Sequence, residues 1–213
     1  AQSHQRAAKA QKDGLLNEEI CTVEIPLRNG DNLTVNDDEG IRQDADFDSM
    51  SRLSPAFTKN GTITAGNASQ ISDGAAAVIV TTMDKAEEMG IEPVAELMAH
   101  GQVAGPDTSL LHQPSSAINV ALDSAGMKVS DLDLFEINEA FAAVALASMN
   151  HLGLSDEIVN VNGGAIALGH PIGMSGTRVV LTLIHELQRR GGGLGAASLC
   201  GGGGQGEALI LKV

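Results

Sequence analysis

Short apolar blocks, separated by breaks rich in glycine and asparagine, run through the 213-residue chain and alternate between two periods. Ala1–Gly14 (AQSHQRAAKAQKDG) is rich in Ala, Gln and Lys and predicts a solvated surface helix that stops at Gly14. Leu15–Val35 holds the alternating stretch Cys21-Thr-Val-Glu-Ile and a turn at Asn29-Gly30-Asp31, which together predict a hairpin. Asp37–Asp48 is acidic and reads as loop. Asp73–Val80 (DGAAAVIV) is a continuous apolar run, expected as a strand buried on both faces, and Met83–Gly90 follows as a short helix. Pro93–Ala104 predicts an extended segment, and Ser115–Gly126 a helix with Ile118, Ala121, Leu122 and Ala125 on one face. Leu134–Ile137 reads as a strand, and Ala140–Leu152 as a helix apolar nearly all round and therefore buried. Ile158–Val161 is expected as a strand, Pro171 to Arg190 as a long helix, and Leu194–Leu199 and Ala208–Val213 as two closing strands. Strands that alternate with helices predict an α/β fold, with a mixed, largely parallel sheet and helices on both faces.

Composition narrows the chemistry. Hydrophobic residues make up 43% and aromatics 2%, with no Trp or Tyr, so the core is built from aliphatic side chains and alanine. The net charge of −14 disfavours nucleic acid, whose binding depends on Lys and Arg neutralising phosphates. It also means that an anionic ligand needs a local basic patch. Two cysteines, Cys21 and Cys200, make no disulfide framework. The chain shows no membrane-length apolar run and no signal-like segment, which gives the expectation of a cytoplasmic protein.

The densest chemical signal is Asn162–Gly176, NGGAIALGHPIGMSG. It sets His170 among glycines, with Pro171 immediately after it, at a loop tip where a helix is expected to begin. Backbone N–H groups near such a helix start suit a developing anion. Taken alone, His170 is as consistent with a structural role as with acid–base chemistry. Two further stretches change that balance. Asn138–Phe141 (NEAF) lies upstream and Cys200–Gly206 (CGGGGQG) downstream, adding an amide and a thiol. Asn138 also reads as a helix cap. A cysteine alone is more often a buried apolar residue, but the glycine run behind Cys200 favours chemistry there. No Lys-Ser/Thr follows those glycines, which argues against a triphosphate loop.

In the order NEAF, GHPIGMSG, CGGGGQG, the chain resembles the thiolase family from its first residues to its last, and looks like the second half of a thiolase. The resemblance implies a thiolase-like fold: residues 1–71 the remainder of a loop domain, 72–92 a strand and helix completing a missing N-terminal domain, and 93–213 the C-terminal domain. It implies acyl transfer between acyl-CoA and coenzyme A, by thiolysis of a 3-ketoacyl-CoA or by Claisen condensation, in fatty acid and lipid metabolism. Coenzyme A and acetyl-CoA enter as substrates, with no covalent cofactor and no metal. His170 matches the histidine that activates a nucleophilic cysteine and helps bind the thioester oxygen. Cys200 matches the cysteine that moves the α-carbon proton, Asn138 the asparagine that orients a water, and the Gly202 N–H one oxyanion donor. Arg42 aligns with a residue stacking on adenine, although a lone arginine among acids is also an ordinary surface ion pair. Ser69, Phe57 and Phe141 match contacts to the pantetheine arm. No residue matches the nucleophile, and Cys21 reads as a packing residue. The expectation is therefore a C-terminal part, inactive as an isolated chain. It needs an N-terminal half that carries the nucleophilic cysteine, within a homo-oligomer (dimer or tetramer). The alternative is a catalytically silent coenzyme A-binding or scaffold chain. A ketoacyl synthase relative is weaker still, since it requires a histidine in place of Asn138.

Overall fold

The computed structural model describes all 213 residues. Its centre is a four-stranded sheet in the order β3 (Glu96–Ala104), β6 (Gln205–Lys212), β5 (Leu194–Gly201), β4 (Leu134–Ile137). The sheet is mixed, as expected, but it is not largely parallel. Only β4–β5 runs parallel, whereas β5–β6 and β3–β6 are antiparallel. The reason is the connection. Gly202–Gly204 is too short to cross over, so β5 and β6 must form a hairpin. Gly204 has φ +78°, and a Cβ there would lie 1.9 Å from the Asp107 carbonyl oxygen, so this turn also seats the loop after β3.

Period-two alternation divides the side chains between two helices. Phe135, Ile137, Ala196, Ala208 and Ile210 face α4 (Gln113–Ala125), which contributes Ala117, Ile118, Ala121 and Leu122. Leu134, Ala197 and Leu211 face α7 (Ser175–Arg189) and meet Val179, Leu183, Ile184 and Leu187. Helices therefore cover both faces. A Cβ at Gly101 of β3 would lie 2.0 Å from the Ala117 carbonyl oxygen, so the missing side chain sets how closely α4 approaches.

The residues before β3 form a looser layer. The hairpin β1 (Val23–Pro26) and β2 (Asn32–Val35) pairs antiparallel with Val23 opposite Val35. Cys21 precedes β1 and is exposed, so it is not the packing residue that was expected. Helix α1 (Gln2–Lys12) is not simply solvated: Ser3, His4, Ala7 and Ala10 are buried. Their spacing makes a face of small residues, and Ala7 sits where a Cβ on Gly163 would be 2.6 Å away. Helix α2 (Phe47–Ser51) follows, capped by Asp46.

Three other expectations fail locally. Asp73–Val80 forms no strand, and Ile79 and Val80 are 98% and 80% exposed, because the chain offers this run no neighbouring strand. Helix α3 (Met83–Met89) follows it as expected. Helix α5 (Ala142–Leu152) buries Val144, Ala145 and Ser148 but leaves Leu146 58% exposed, so it is not enclosed. The expected strand Ile158–Val161 shrinks to one parallel bridge, Phe135 to Val159. Beyond it the Asn160 side chain takes over the ladder, accepting from Ile137 N–H at 2.8 Å and donating to Ile137 C=O at 2.8 Å.

Candidate active site

The site forms where β4 and β5 end. Asn138 follows β4 directly, is fully buried, and its N–H donates to the Ser198 carbonyl at 2.9 Å. Cys200 lies two residues further along β5 and is 8% exposed. Parallel pairing of Ile137 with Ser198 thus brings the NEAF stretch and the cysteine stretch side by side.

His170 is half-buried and gripped at both ring nitrogens. Asn138 Nδ2 lies 3.2 Å from Nε2, and Ser175 Oγ lies 2.6 Å from Nδ1. The Ser175 hydroxyl donates its own hydrogen to the Pro171 carbonyl at 2.9 Å. It can therefore only accept from the ring, which places the imidazole hydrogen on Nδ1 and leaves the Nε2 lone pair as the base. Burial, helped by the Arg178 charge, holds the His170 pKa below the usual histidine range, so the ring rests neutral. Burial pushes the Cys200 thiol up from its ordinary range, so it rests protonated. The helix after His170 starts at Ser175 rather than Pro171, and the Met174 and Ser175 N–H groups turn back onto the Pro171 carbonyl. Those two N–H groups are consequently not free for an anion. The Gly202 N–H, by contrast, donates to no backbone group, and a Cβ there would meet open space.

The remaining expected residues fall into two places. Ser69, Phe57 and Phe141 come together. Ser69 donates from both N–H and Oγ to the Ala140 carbonyl, at 3.1 and 3.0 Å, and Phe57 meets Phe141 edge-on at 6.3 Å between centroids. The Ser69 hydroxyl hydrogen is committed to holding NEAF, leaving only its lone pairs for a ligand. Arg42 stands apart, beside a cavity of about 180 Å³ lined also by His4, Ser49, Leu53 and Gln70. Its N–H donates to His4 Nδ1, and its guanidinium joins no ion pair. A larger cavity, about 430 Å³ between α1, α2 and α5, contains neither His170 nor Cys200. The candidate chemistry at the strand ends therefore lies outside both of these cavities.

Sequence reasoning missed three positioning residues. Ser175 was visible only as part of the motif. Gln70 accepts from the His170 N–H at 3.0 Å and donates to the Gly40, Ile166 and Ala167 carbonyls. Glu139, buried behind Asn138, accepts from Ser3, Asn160 and Ile166. A glutamate inside NEAF was a visible signal for burial, but its partners are distant in sequence.

Comparison with known proteins places this geometry in a class. Over 99% of the chain, the structure matches the Bacillus anthracis acetyl-CoA acetyltransferase (TM-score 0.95, 41% identity, 53% of that chain). It also matches the human mitochondrial 3-ketoacyl-CoA thiolase in complex with CoA (TM-score 0.90, 42% identity, 99% of this chain, 52% of that one). The architecture is thus the thiolase fold. In sequence, the chain is 59% identical over 212 residues to a probable acetyl-CoA acetyltransferase of Mycobacterium tuberculosis, covering 100% of this chain and 54% of the relative. Residues 1–84 match the family model of the thiolase N-terminal domain, and residues 91–213 that of the thiolase C-terminal domain. The chain belongs to the thiolase family, and it spans about half the length of the curated relatives it matches.

Proposed function

We propose that this chain is the C-terminal part of a thiolase that transfers acyl groups between acyl-CoA and coenzyme A. The observation carrying the proposal is the Nε2 lone pair of His170, fixed by Ser175 and Asn138 next to the Cys200 strand end. In this reading an N-terminal part supplies the nucleophilic cysteine. His170 Nε2 takes the nucleophile's proton; the thiolate attacks the thioester carbonyl, and the coenzyme A thiol leaves with a proton. Cys200, left as a thiolate by giving its proton to the departing coenzyme A, then removes the α-proton of a second acetyl-CoA. The resulting carbanion attacks the acyl-enzyme and releases the first cysteine. Asn138 Oδ1, buried without a partner, is the acceptor that holds a water near the thioester oxygen. The Gly202 N–H is a donor for the other oxyanion.

Coenzyme A would lie across the loop layer, its arm against Phe57, Phe141 and Ser69 and its adenine on Arg42. In support, Arg28, Arg42, Arg52 and Lys59 all lack an ion-pair partner, whereas most other cations are paired. That leaves positive charge for phosphates in an otherwise acidic chain. The same reading divides the chain into residues 1–71 as loop domain, 72–92 completing the N-terminal domain, and 93–213 as C-terminal domain. It implies a cytoplasmic homo-oligomer working in fatty acid metabolism. The structure itself has no helix long and apolar enough to cross a membrane.

The test is denaturing intact-mass spectrometry of the native sample after incubation with acetyl-CoA. An acetyl adduct on the N-terminal part, lost in His170→Ala, is the expected result. Cys200→Ser should still acylate yet stall at carbon–carbon bond formation. Coenzyme A binding with no acyl adduct under any pairing would instead establish the silent scaffold reading. Arg42→Ala should weaken coenzyme A binding, and unchanged affinity would remove Arg42 from the site.

A further inference from the structure

Two elements hold the His170 ring, and the same two carry a second, buried link. Asn138 at the end of β4 reaches Nε2, and Ser175 at the start of α7 reaches Nδ1. Glu136 lies two residues before Asn138, and Arg178 three residues after Ser175. Their side chains meet at 3.2 Å, Arg178 13% exposed and Glu136 4%. A step of two along a strand, or three along a helix, keeps a residue on its neighbour's side. The ion pair and the imidazole grip therefore occupy one layer between β4 and α7, on the sheet face where Leu134 meets Leu183.

Stability alone does not explain this pair. A buried ion pair is often no better than apolar residues of the same volume. The surroundings are also over-supplied with acid. Glu19, which accepts from Thr182 of α7 at 2.7 Å, and Asp38 in the loop after β2 both feel the Arg178 charge. Glu139 and Glu19 face Glu136, and His185 and Arg189 face Glu19. One cation thus serves several carboxyls and also points its field at the catalytic ring.

We propose that the Glu136–Arg178 pair is a positioning device for His170: it sets the β4–α7 spacing at which Asn138 and Ser175 grip opposite ring nitrogens, and it sets the charge the ring faces from α7. Calling the ring catalytic rests on the function proposed above; the effect on the ring belongs to this chain alone. Burial pushes the Glu136 carboxyl up to about 8 against the pull of Arg178. Below that pH the carboxyl keeps its proton and Arg178 faces the ring uncompensated, holding the imidazole neutral. As pH rises through this range, Glu136 gives its proton to solvent, cancels the guanidinium charge, and makes the imidazole easier to protonate.

The experiment is an NMR titration of the histidine ring protons in the full chain, with His170 assigned by the signal lost in His170→Gln. Glu136→Gln fixes the neutral side chain that Glu136 already presents where the ring titrates, and should leave the His170 midpoint near the parent. Arg178→Met removes the cation and should move the His170 midpoint up. Arg178→Lys keeps the charge and should sit near the parent midpoint; it also serves if Arg178→Met does not fold. A purely structural link predicts that Arg178→Lys, which breaks the side-chain geometry, shifts the midpoint toward the solvent value along with Arg178→Met. That result, or no shift in Arg178→Met, overturns the proposal. The readout needs no turnover: an upward shift in Arg178→Met but not in Arg178→Lys, without acyl transfer, would sink the proposed function and leave this inference standing.

Discussion

Replacing Glu139 with alanine should unfasten α1 from the rest of the molecule. The carboxylate is 7% exposed and accepts from Ser3 Oγ at 2.6 Å, Asn160 Nδ2 at 3.1 Å and the Ile166 N–H at 3.1 Å. These three donors belong to α1, to the loop after the Val159 bridge, and to the short helix α6 (Ala165–Leu168). The losses are unequal. Ser3 keeps a second contact to the Gly164 carbonyl at 3.3 Å, and Asn160 keeps Ile137 C=O at 2.8 Å. Only the Ile166 N–H is left with no acceptor. An orphaned buried donor costs about 1–3 kcal/mol, and each of the two weakened partners about 0.5–1.5 kcal/mol, so the total is roughly 2–6 kcal/mol. Glu139→Gln presents an NH2 to donors and should fall about halfway. The close packing behind the carboxylate blocks easy repair: a Cβ on Gly164 would lie 2.4 Å from the Glu139 carboxyl carbon. With no Trp or Tyr for fluorescence, urea unfolding is read by far-UV circular dichroism, and hydrogen exchange shows where the loss falls. Exchange should quicken in α1 and α6 before the central sheet. A Glu139→Ala midpoint within about 1 kcal/mol of the parent would refute the network argument, since that is less than the one orphaned N–H should cost.

Other perturbations test separate parts of the structure. Ser175→Ala frees Nδ1, so the neutral His170 ring should become a mixture of tautomers; 15N chemical shifts still showing hydrogen only on Nδ1 would contradict the assignment. Gly204→Ala adds a side chain at φ +78° and 1.9 Å from the Asp107 carbonyl, and should cost about 2–4 kcal/mol in urea. Gly202→Ala, which meets open space, should stay within about 0.5 kcal/mol and serves as its control. The buried Glu136 makes stability fall with rising pH. Its pKa is raised from 4.5 to about 8, so the native state keeps a proton that the unfolded chain releases across that window. The fall is on the order of 5 kcal/mol between those limits and flattens above them. Glu136→Gln should remove most of that slope, and an unchanged slope would assign it to other groups.

The sequence was most legible where local and global signals coincide. Leu134–Ile137 is a short apolar run between polar breaks, and it is β4 with those limits. Gly126 and Gly153 end α4 and α5 in left-handed geometry, as the helix-stop signals predicted. The motifs also come together in space, since the structure joins His170 to Asn138 and sets Cys200 on the next strand. The misreadings share a cause: each depended on a partner distant in sequence. Asp73–Val80 looks like a buried strand because its residues are apolar, but burial needs a neighbour that this chain does not supply. Cys21 was expected inside because thiols usually are, yet its hairpin has no second layer to pack on. Helix α1 looked solvated because alanine and serine carry little hydrophobic signal, although their small size is what permits close packing on Gly163. Asn160 hid a strand end, because a side-chain amide reproduces the backbone pairing that periodicity looks for.

The five residues Phe135–Glu139 explain why polar groups can be concentrated here without loosening the fold. Strand alternation sends Phe135 and Ile137 into the α4 core, and these two anchor the segment. The same alternation turns Glu136 and Asn138 to the other face, where one meets Arg178 and the other His170. Glu139, past the strand, is free of the ladder and ties down α1 and α6. A one-residue slip would exchange the two sets, burying Glu136 and Asn138 among aliphatic side chains with no partner. The apolar anchors therefore fix the register, and the register in turn fixes the distance from the amide to the imidazole. Weakening an anchor should then reach the site through geometry alone. Ile137→Ala leaves every polar partner in place, yet it should loosen the Asn138 grip on His170 and draw the ring's titration toward its solvent value. If the ring titrates unchanged in a measurably destabilised Ile137→Ala protein, the register is held elsewhere.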